Sequence, residues 1–459
     1  MRSFNKTLLS SAIAVLAANT SCSASADMMT KMVDDSTLDI KLRNAYFSKT
    51  DKYGGFEHNV LGEKKEIRQW AQSAEVNFSS GYFGTEDFGI GADVSYYGAV
   101  KLAADEDSNT SGDLLPQGDS GDINNYGKLG QGFVKLQALD MINLQAGRMV
   151  LDNPIVASSG SRLTPSSFDA VQGQLSIADF GFYAVYTDEW SPRNQSGTRE
   201  FDAGGKDIDD IIVFGATYNH DSGFGAEIAY GESDDFVEKL MLNAYYTFKL
   251  GEDRSIDLDA QYYTFEDAGN LWTDATALTT TSKADKLDAK TYSLRAAYNT
   301  NDWTFALTYT KNKDDKAYYY MYQDEKGEYD HGMTYLYTSM QVSDFLAKEE
   351  DVYQGLFSYD FSSLGVPGLN ASYSYTYGKD GEWVSSNRAD PDNGKEYNEW
   401  ESEYKISYTI QGGPLKDLSL SYNYASYSNN APASRSGETF DVIEQDDHRV
   451  YVDYTISVF

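Results

Sequence analysis

Cysteine is all but missing from this 459-residue chain, which has one. That one, Cys22, lies near the start, so the body of the chain can build neither a disulfide framework nor a cysteine metal site. A body without cysteine suits an oxidising compartment. Proline is held to 8 residues, which leaves long stretches free for β-pairing. No segment approaches the roughly 18 consecutive apolar residues of a membrane-spanning helix, so a helical membrane protein is excluded. Basic residues are also short: 37 Lys and Arg face 71 Asp and Glu, a formal charge of −34. That balance repels polyanions, so no nucleic-acid partner is expected. The acids gather in presumed loops, such as Asp105-Glu106-Asp107 and Asp207 to Asp210. There they are either simply solvated or able to share divalent cations with anionic lipid headgroups.

What is present begins with a leader. Arg2 and Lys6 give a positive start, Leu8 to Ala18 is short and apolar, and Ala24-Ser25-Ala26 is a small-residue cleavage site. Residues 1–26 are expected to be a secretory signal peptide, with the mature chain starting at Asp27. Loss of Arg2 and Lys6 takes the charge from −34 to −36. Asn19-Thr20-Ser21 lacks the aliphatic residue of a lipidation signal, so Cys22 is discarded with the leader. Aromatic residues are plentiful, with 37 Tyr, 22 Phe and 6 Trp. Girdles at the two interfaces of a membrane β-barrel consume such residues.

Strand-like segments recur with period two. In Leu38-Asp39-Ile40-Lys41-Leu42-Arg43 and Ser255-Ile256-Asp257-Leu258-Asp259-Ala260 the aliphatics face one way and the polar groups the other. Val450, Val452, Tyr454, Ile456 and Val458 alternate with Arg449, Tyr451, Asp453, Thr455 and Ser457. One apolar face opposite a repeatedly charged face favours a water-filled lumen over a sandwich core. Short turns at 220–223, 250–253, 300–302 and 412–414 have hairpin chemistry. Between them lie long polar segments, at 103–126, 192–210, 266–290, 312–350, 378–399 and 428–447. Short turns on one rim and long loops on the other mark an outer-membrane barrel. Strand centres fall near residues 42, 73, 94, 134, 145, 174, 184, 214, 228, 243, 260, 295, 307, 355, 373, 405, 421 and 453. The expected fold is therefore all-β: a transmembrane antiparallel barrel of about 18 strands, one domain over 27–459. Tyr318 to Tyr322 reads either as an extra strand or as a folded-in loop.

A hydrolase needs a nucleophile or activated water, a base and an orienting group. The four histidines, His58, His220, His331 and His448, form no metal-binding spacing. His448 after Asp446-Asp447 could form an acid–histidine pair, and no serine motif sits in a usable strand-to-helix context. The chain is not expected to be an enzyme and calls for no cofactor. A barrel protease or lipase and a structural or adhesive barrel are the alternatives to a channel.

Several segments in order resemble the OprD family of substrate-specific outer-membrane porins of Gram-negative bacteria, which includes chitoporin-like members. They are Arg43-Asn44-Ala45-Tyr46-Phe47, Gln69-Trp70-Ala71-Gln72, Ser80-Gly81-Tyr82-Phe83-Gly84, Gly147-Arg148-Met149 with Asp152-Asn153-Pro154, Ser161-Arg162-Leu163-Thr164-Pro165, Leu364 to Leu369, and Gly412 to Leu420. The resemblance implies an eighteen-stranded barrel with an inward constriction loop at about 150–167, working alone or as a homotrimer. It implies passive, selective diffusion of small hydrophilic solutes: amino acids, small carboxylates or short oligosaccharides. It also implies a basic ladder on the lumen wall, with candidates Lys41, Arg43, Arg68, Lys135, Arg148, Arg162, Arg295 and Arg449. Asp152, Asn153 and Ser161 would shape the constriction, or cap its turns. The late strands depart from the pattern: Ser419 to Tyr424 and Tyr373 to Tyr377 carry no arginine. Their aromatics, if they face water, would stack on sugar rings. The terminal Phe459 resembles the signal read by the outer-membrane assembly machinery, and outer-membrane lipids are the remaining partner.

Overall fold

The computed structural model describes residues 22–52, 65–105, 114–118, 121–203, 205–274, 286–315, 321–322, 336–383, 394–431, 433–435, 438–440 and 443–459. The expected leader lies outside them up to residue 21. A helix, α1 (Cys22–Asp34), crosses the expected cleavage point before Asp27. Its last turn meets the barrel where the Met32 carbonyl accepts from Gly81 N at 3.1 Å.

Eighteen strands form the wall. They are β1 (Thr37–Lys52), β2 (Lys65–Ser79), β3 (Phe88–Ala104), β4 (Tyr126–Ala138), β5 (Ile142–Met149), β6 (Ser167–Ile177), β7 (Phe180–Ser191), β8 (Ile211–Asn219) and β9 (Phe224–Ser233). The second half comprises β10 (Val237–Lys249), β11 (Ser255–Asp267), β12 (Asp288–Asn299), β13 (Trp303–Asp314), β14 (Asp351–Asp360), β15 (Leu369–Glu382), β16 (Glu396–Thr409), β17 (Ser419–Asn429) and β18 (Ile443–Ser457). Each pairs antiparallel with its neighbours in sequence, and β1 also pairs with β18, from Asp39↔Ser457 to Lys52↔Glu444. The sheet closes on itself, so no edge is left unpaired. Every strand centre read from the sequence falls inside one of these strands.

Burial is inverted relative to a protein folded in water. Val94, Tyr96, Val171, Phe214, Leu294, Leu307 and Ile406 are exposed, while Ser73, Ser293, Thr310, Thr376 and Glu401 are buried. An apolar outer band around a polar interior is the arrangement hydrocarbon demands. Successive residues alternate between the two faces, so each strand contributes to both.

The rims differ as the turn chemistry predicts. Three or fewer residues separate β4 from β5, β6 from β7 and β12 from β13, all on the rim that holds both ends of the barrel. The opposite rim carries the long connections, with one exception: only Asp234–Phe236 joins β9 to β10. Parts of the long connections fold into the lumen. Leu151, Ile155, Val156, Phe201, Met321 and Tyr322 pack with wall residues such as Phe168, Trp190 and Met241, and with Phe236 of the short β9–β10 turn, in one apolar cluster. Leu114, Leu115 and Leu163 pack on Ala45, Phe47 and Ala71 in a second. The Tyr318–Tyr322 alternative is resolved where the chain is described. Met321 and Tyr322 are not strand, and the Tyr322 ring meets Phe168, Trp190 and Phe201 at 6.0, 5.0 and 4.5 Å. Residues 318–320 lie outside the described residues.

Candidate functional site: the constricted lumen

The third long-rim connection, loop 3 (150–166), leaves β5 and crosses the lumen before entering β6. Its first turn is built by Asn153, whose Oδ1 accepts from the backbone N–H groups of Ile155 and Val156 at 3.0 and 2.9 Å. Ile155 and Val156 are thereby seated in the apolar cluster beside β9. The far end of the loop docks on β1 and β2. Arg43 Nη1 donates to the carbonyls of Gly160 and Arg162 at 3.1 and 2.7 Å, and Ser73 Oγ donates to the Leu163 carbonyl at 2.9 Å. In a ring of eighteen strands β1 and β10 face each other. Loop 3 therefore bridges opposite walls and narrows the passage.

Loop 7 (315–350) provides a second inward element, in its described part from Leu336 on. The buried Glu401 carboxylate on β16 accepts from Val342 N and Ser343 N at 3.0 and 2.9 Å. Asn312 Nδ2 donates to the Phe345 carbonyl at 2.9 Å, and Arg449 Nη2 to the Gln341 carbonyl at 3.2 Å. These bonds satisfy backbone groups that would otherwise be buried without partners.

Of the expected ladder, three arginines converge on the β1/β18 wall. Arg162 and Arg449 lie over the Phe47 ring at 5.5 and 5.0 Å, and Arg43 over Tyr451 at 5.2 Å. Arg43 is held by Asp453 at 2.7 Å and Arg449 by Asp447 at 2.6 Å. Lys41 stands lower on the same face, in register with Glu75. Lys135, on the lumen face of β4, is ion-paired to Asp93 at 2.7 Å and reaches Ser79 Oγ at 2.8 Å.

Two candidates are not in this group. Arg148 is in register with Asp169 and bonds it through two nitrogens, at 2.9 and 2.8 Å. Asp169 shares the phase of exposed Val171, not that of buried Phe168 and Ala170. The pair therefore sits on the outer side of the wall near the loop rim, where Arg148 also donates to Thr198 Oγ1 at 2.7 Å. Arg68 likewise shares the phase of exposed Trp70, opposite that of buried Gln69 and Ala71, and pairs with Asp105 at 3.1 Å. Ser161 serves the loop itself: its Oγ accepts from Arg193 Nη1 at 2.8 Å, as does Ser159 Oγ at 2.8 Å.

The β9–β12 wall is of different character. Between it and loop 3 lies a cavity of about 810 Å³ lined by Asp152, Asn153, Glu227, Asp257, Asp259, Tyr263, Arg295 and Tyr337, among others. Glu227 accepts from the Tyr183 hydroxyl at 2.8 Å, Asp257 from Asn299 at 2.6 Å and Asp259 from Asn243 at 3.0 Å. Among the described residues none of these carboxylates, nor Asp152, has a lysine or arginine at ion-pair distance. Arg295 lies over the Tyr337 ring at 4.7 Å. Burial first, then neighbouring Asp259, pushes the Tyr337 hydroxyl up to about 12, so it remains a donor at neutral pH.

Asp257 and Asp259 already stood out in the alternation of β11. Tyr337, Arg193 and the Glu399-x-Glu401-x-Glu403 run carried no comparable signal. The tyrosines of the late strands face the other way from what sugar stacking needs. Tyr373, Tyr375, Tyr404 and Tyr422 are exposed on the outer face, with Tyr373 and Tyr404 rings 4.7 Å apart. They form a lipid-side band. Phe459 is exposed at the opposite rim, its carbonyl accepting from Leu38 N at 3.1 Å.

Comparison with known proteins gives a consistent result. A family model described as outer membrane porin, OprD family, matches residues 30–458. Porin D of Pseudomonas aeruginosa is 29% identical over 439 residues, covering 93% of this chain and 92% of that protein. Chitoporin of Escherichia coli is 23% identical, covering 84% of each. Among solved structures, Pseudomonas aeruginosa OccK9 (OpdG) superposes with a TM-score of 0.78 at 22% identity, covering 93% of this chain and 100% of that one. OpdK with vanillate, from the same organism, gives 0.74 at 24% identity, covering 93% and 100%.

Proposed function

This chain belongs to the OprD family of outer-membrane porins, and we propose that the solutes it selects are small cations and zwitterions with net positive charge. The observation that carries this is the contrast between the two walls. Arg43 and Arg449 are paired with carboxylates, whereas Asp152, Glu227, Asp257 and Asp259 line the cavity without ion-pair partners among the described residues. A solute in the passage meets an excess of unneutralised negative charge, and charges lining a narrow pore set its selectivity.

Of the three solute classes raised by the sequence, this favours amino acids, with a basic side chain preferred. The cavity offers Asp152 and Glu227 to ammonium groups, and Arg162 on the far wall to a carboxylate. Transport is passive: the solute exchanges some hydration for wall contacts and leaves because no single contact is strong. Residues 1–26 act as the leader and Phe459 as the assembly signal in the same reading.

The experiment is a reversal-potential measurement on the refolded protein in a planar bilayer under a potassium chloride gradient. Cation preference is expected, and D257N/D259N should reduce it. Anion preference in the unaltered protein would overturn the proposal. A panel of lysine, succinate and chito-oligosaccharide as blockers then identifies the class, lysine being expected to block at the lowest concentration.

A further inference from the structure

Arg295 is the one lysine or arginine among the described residues that line the acid-walled cavity. A guanidinium exposed there would be the natural dock for a carboxylate, because its fork matches two carboxylate oxygens. It is not presented that way. Tyr337 of loop 7 lays its ring over the guanidinium at 4.7 Å. The Tyr337 hydroxyl also lies close enough to Asp259 to feel its charge, and Asp259 is the in-register neighbour of Arg295 on β11. One side chain thus spans the cross-strand pair.

The ring is held there by what flanks it. Leu336 is 2% exposed and belongs to the apolar cluster, and Thr338 is fully buried with its hydroxyl on Thr310 Oγ1 at 3.1 Å. With both neighbours fixed, the Tyr337 backbone is held against β13, and its side chain lines the cavity while staying 38% exposed.

We infer that Tyr337 is a specificity-determining residue, whose ring covers the cation of the acid-walled cavity and so denies carboxylate solutes a binding site on that wall. The cover works by access, not by cancelling charge. An aromatic face stabilises a guanidinium at short range and fills space beside it that a carboxylate would otherwise occupy. The wall carboxylates keep their reach, because each exchanges hydrogen bonds with neutral groups only. This deepens the reading of a cation-preferring passage and rests on it, yet it is tested by a different quantity.

The test is block of potassium chloride current by succinate in single channels of the unaltered protein and of Y337F, Y337L, R295Q and Y337L/R295Q. Heat-modifiable migration on gels confirms that each barrel has folded. Y337L should be blocked at a succinate concentration about tenfold lower, the scale of one exposed charge-assisted contact. Y337F keeps the ring and should match the unaltered protein, and Y337L/R295Q should lose the added block. Were Tyr337 only an anchor for loop 7, Y337L would change conductance with no Arg295-dependent block, and the inference would fail. It would also fail if Y337F behaved like Y337L. The sign of the unaltered protein's reversal potential bears on the wall-charge reading alone, so the two can fail separately.

Discussion

Arg193 offers the sharpest test of how the constriction is held. It lies in the fourth long-rim connection (192–210), is 8% exposed, and donates through Nη1 to Ser159 Oγ and Ser161 Oγ of loop 3, each at 2.8 Å. Its carbonyl also accepts from the Tyr126 and Thr164 hydroxyls at 3.1 and 3.0 Å, so its backbone position is fixed independently of its side chain. R193M keeps most of the buried stem and removes the guanidinium. Hydrogen bonds to a charged group contribute roughly 1.5–3 kcal/mol each, so losing two costs the docked loop at least about 3 kcal/mol. At about 1.4 kcal/mol per factor of ten, the undocked population rises roughly 150-fold. Loop 3 has other anchors in Arg43, Ser73 and the apolar cluster, so the average conductance should change little. The expected signal is the frequency of brief excursions to higher current, which single-channel recording counts one by one even when they are rare. S159A/S161A should reproduce the effect, and adding R193M to it should add little. A R193M trace with the same excursion frequency, from barrels that migrate as folded, would refute the assignment of Arg193 as a loop 3 anchor.

Three further outcomes are expected. Gly147 sits at φ +128°, and a Cβ there would meet the Gly132 carbonyl oxygen at 2.4 Å and Phe133 Cα at 2.9 Å, so G147A should cost at least about 2 kcal/mol in refolding titrations into lipid vesicles. Leu258 is exposed on the outer face between inward Asp257 and Asp259, and L258R should cost about 2–4 kcal/mol in the same assay while L258F costs little. Asp210 on the loop rim is pushed above the usual carboxylate range, first by burial and then by Asp234, Asp209, Asp188 and Glu232. An acid raised in the folded state costs stability once ionised; the cost is absent below its unfolded value and complete above its folded one. D210N should therefore raise the thermal transition at pH 7 and leave it unchanged at pH 3, and a gain only at pH 3 would contradict the sign.

The strands were legible because the period-two signal is repeated within each one and the barrel buries no strand on both faces. Leu38 to Arg43, Ser255 to Ala260 and Arg449 to Val458 announced their inward and outward sets correctly. What could not be read was phase at the loop rim. A shift of one residue turns a side chain from lumen to lipid, and Arg148 follows Gly147, whose backbone departs from a regular strand. Arg148 and Arg43 look alike in sequence, one Gly-Arg-Met and the other Leu-Arg-Asn, yet they occupy opposite sides of the wall. The late-strand tyrosines illustrate the same point, since their aromatic content was visible but not their face. Partnerships set by register, such as Asp259 with Arg295, or by a distant loop, such as Glu401 with Val342 and Ser343, have no local signature at all.

The ladder candidates also show why counting charges along a wall is a poor guide to what a solute meets. Arg43 is bound to Asp453 and to two loop 3 carbonyls, and Arg449 to Asp447 and a loop 7 carbonyl. These cations serve first to hold the two inward loops, which present backbone acceptors that a guanidinium can satisfy several at a time. Glu401 does the converse for loop 7, supplying acceptors to backbone N–H groups. The charges left to act on a solute are those the loops do not use. On the β9–β12 wall Glu227, Asp257 and Asp259 are hydrogen-bonded to tyrosine and asparagine, with Arg295 in register beside Asp259, and in the proposed reading these carboxylates are the ones a solute meets. Selectivity in this barrel is thus what remains after the constriction has been built, and a substitution that frees a loop-bound arginine changes pore width and pore charge together.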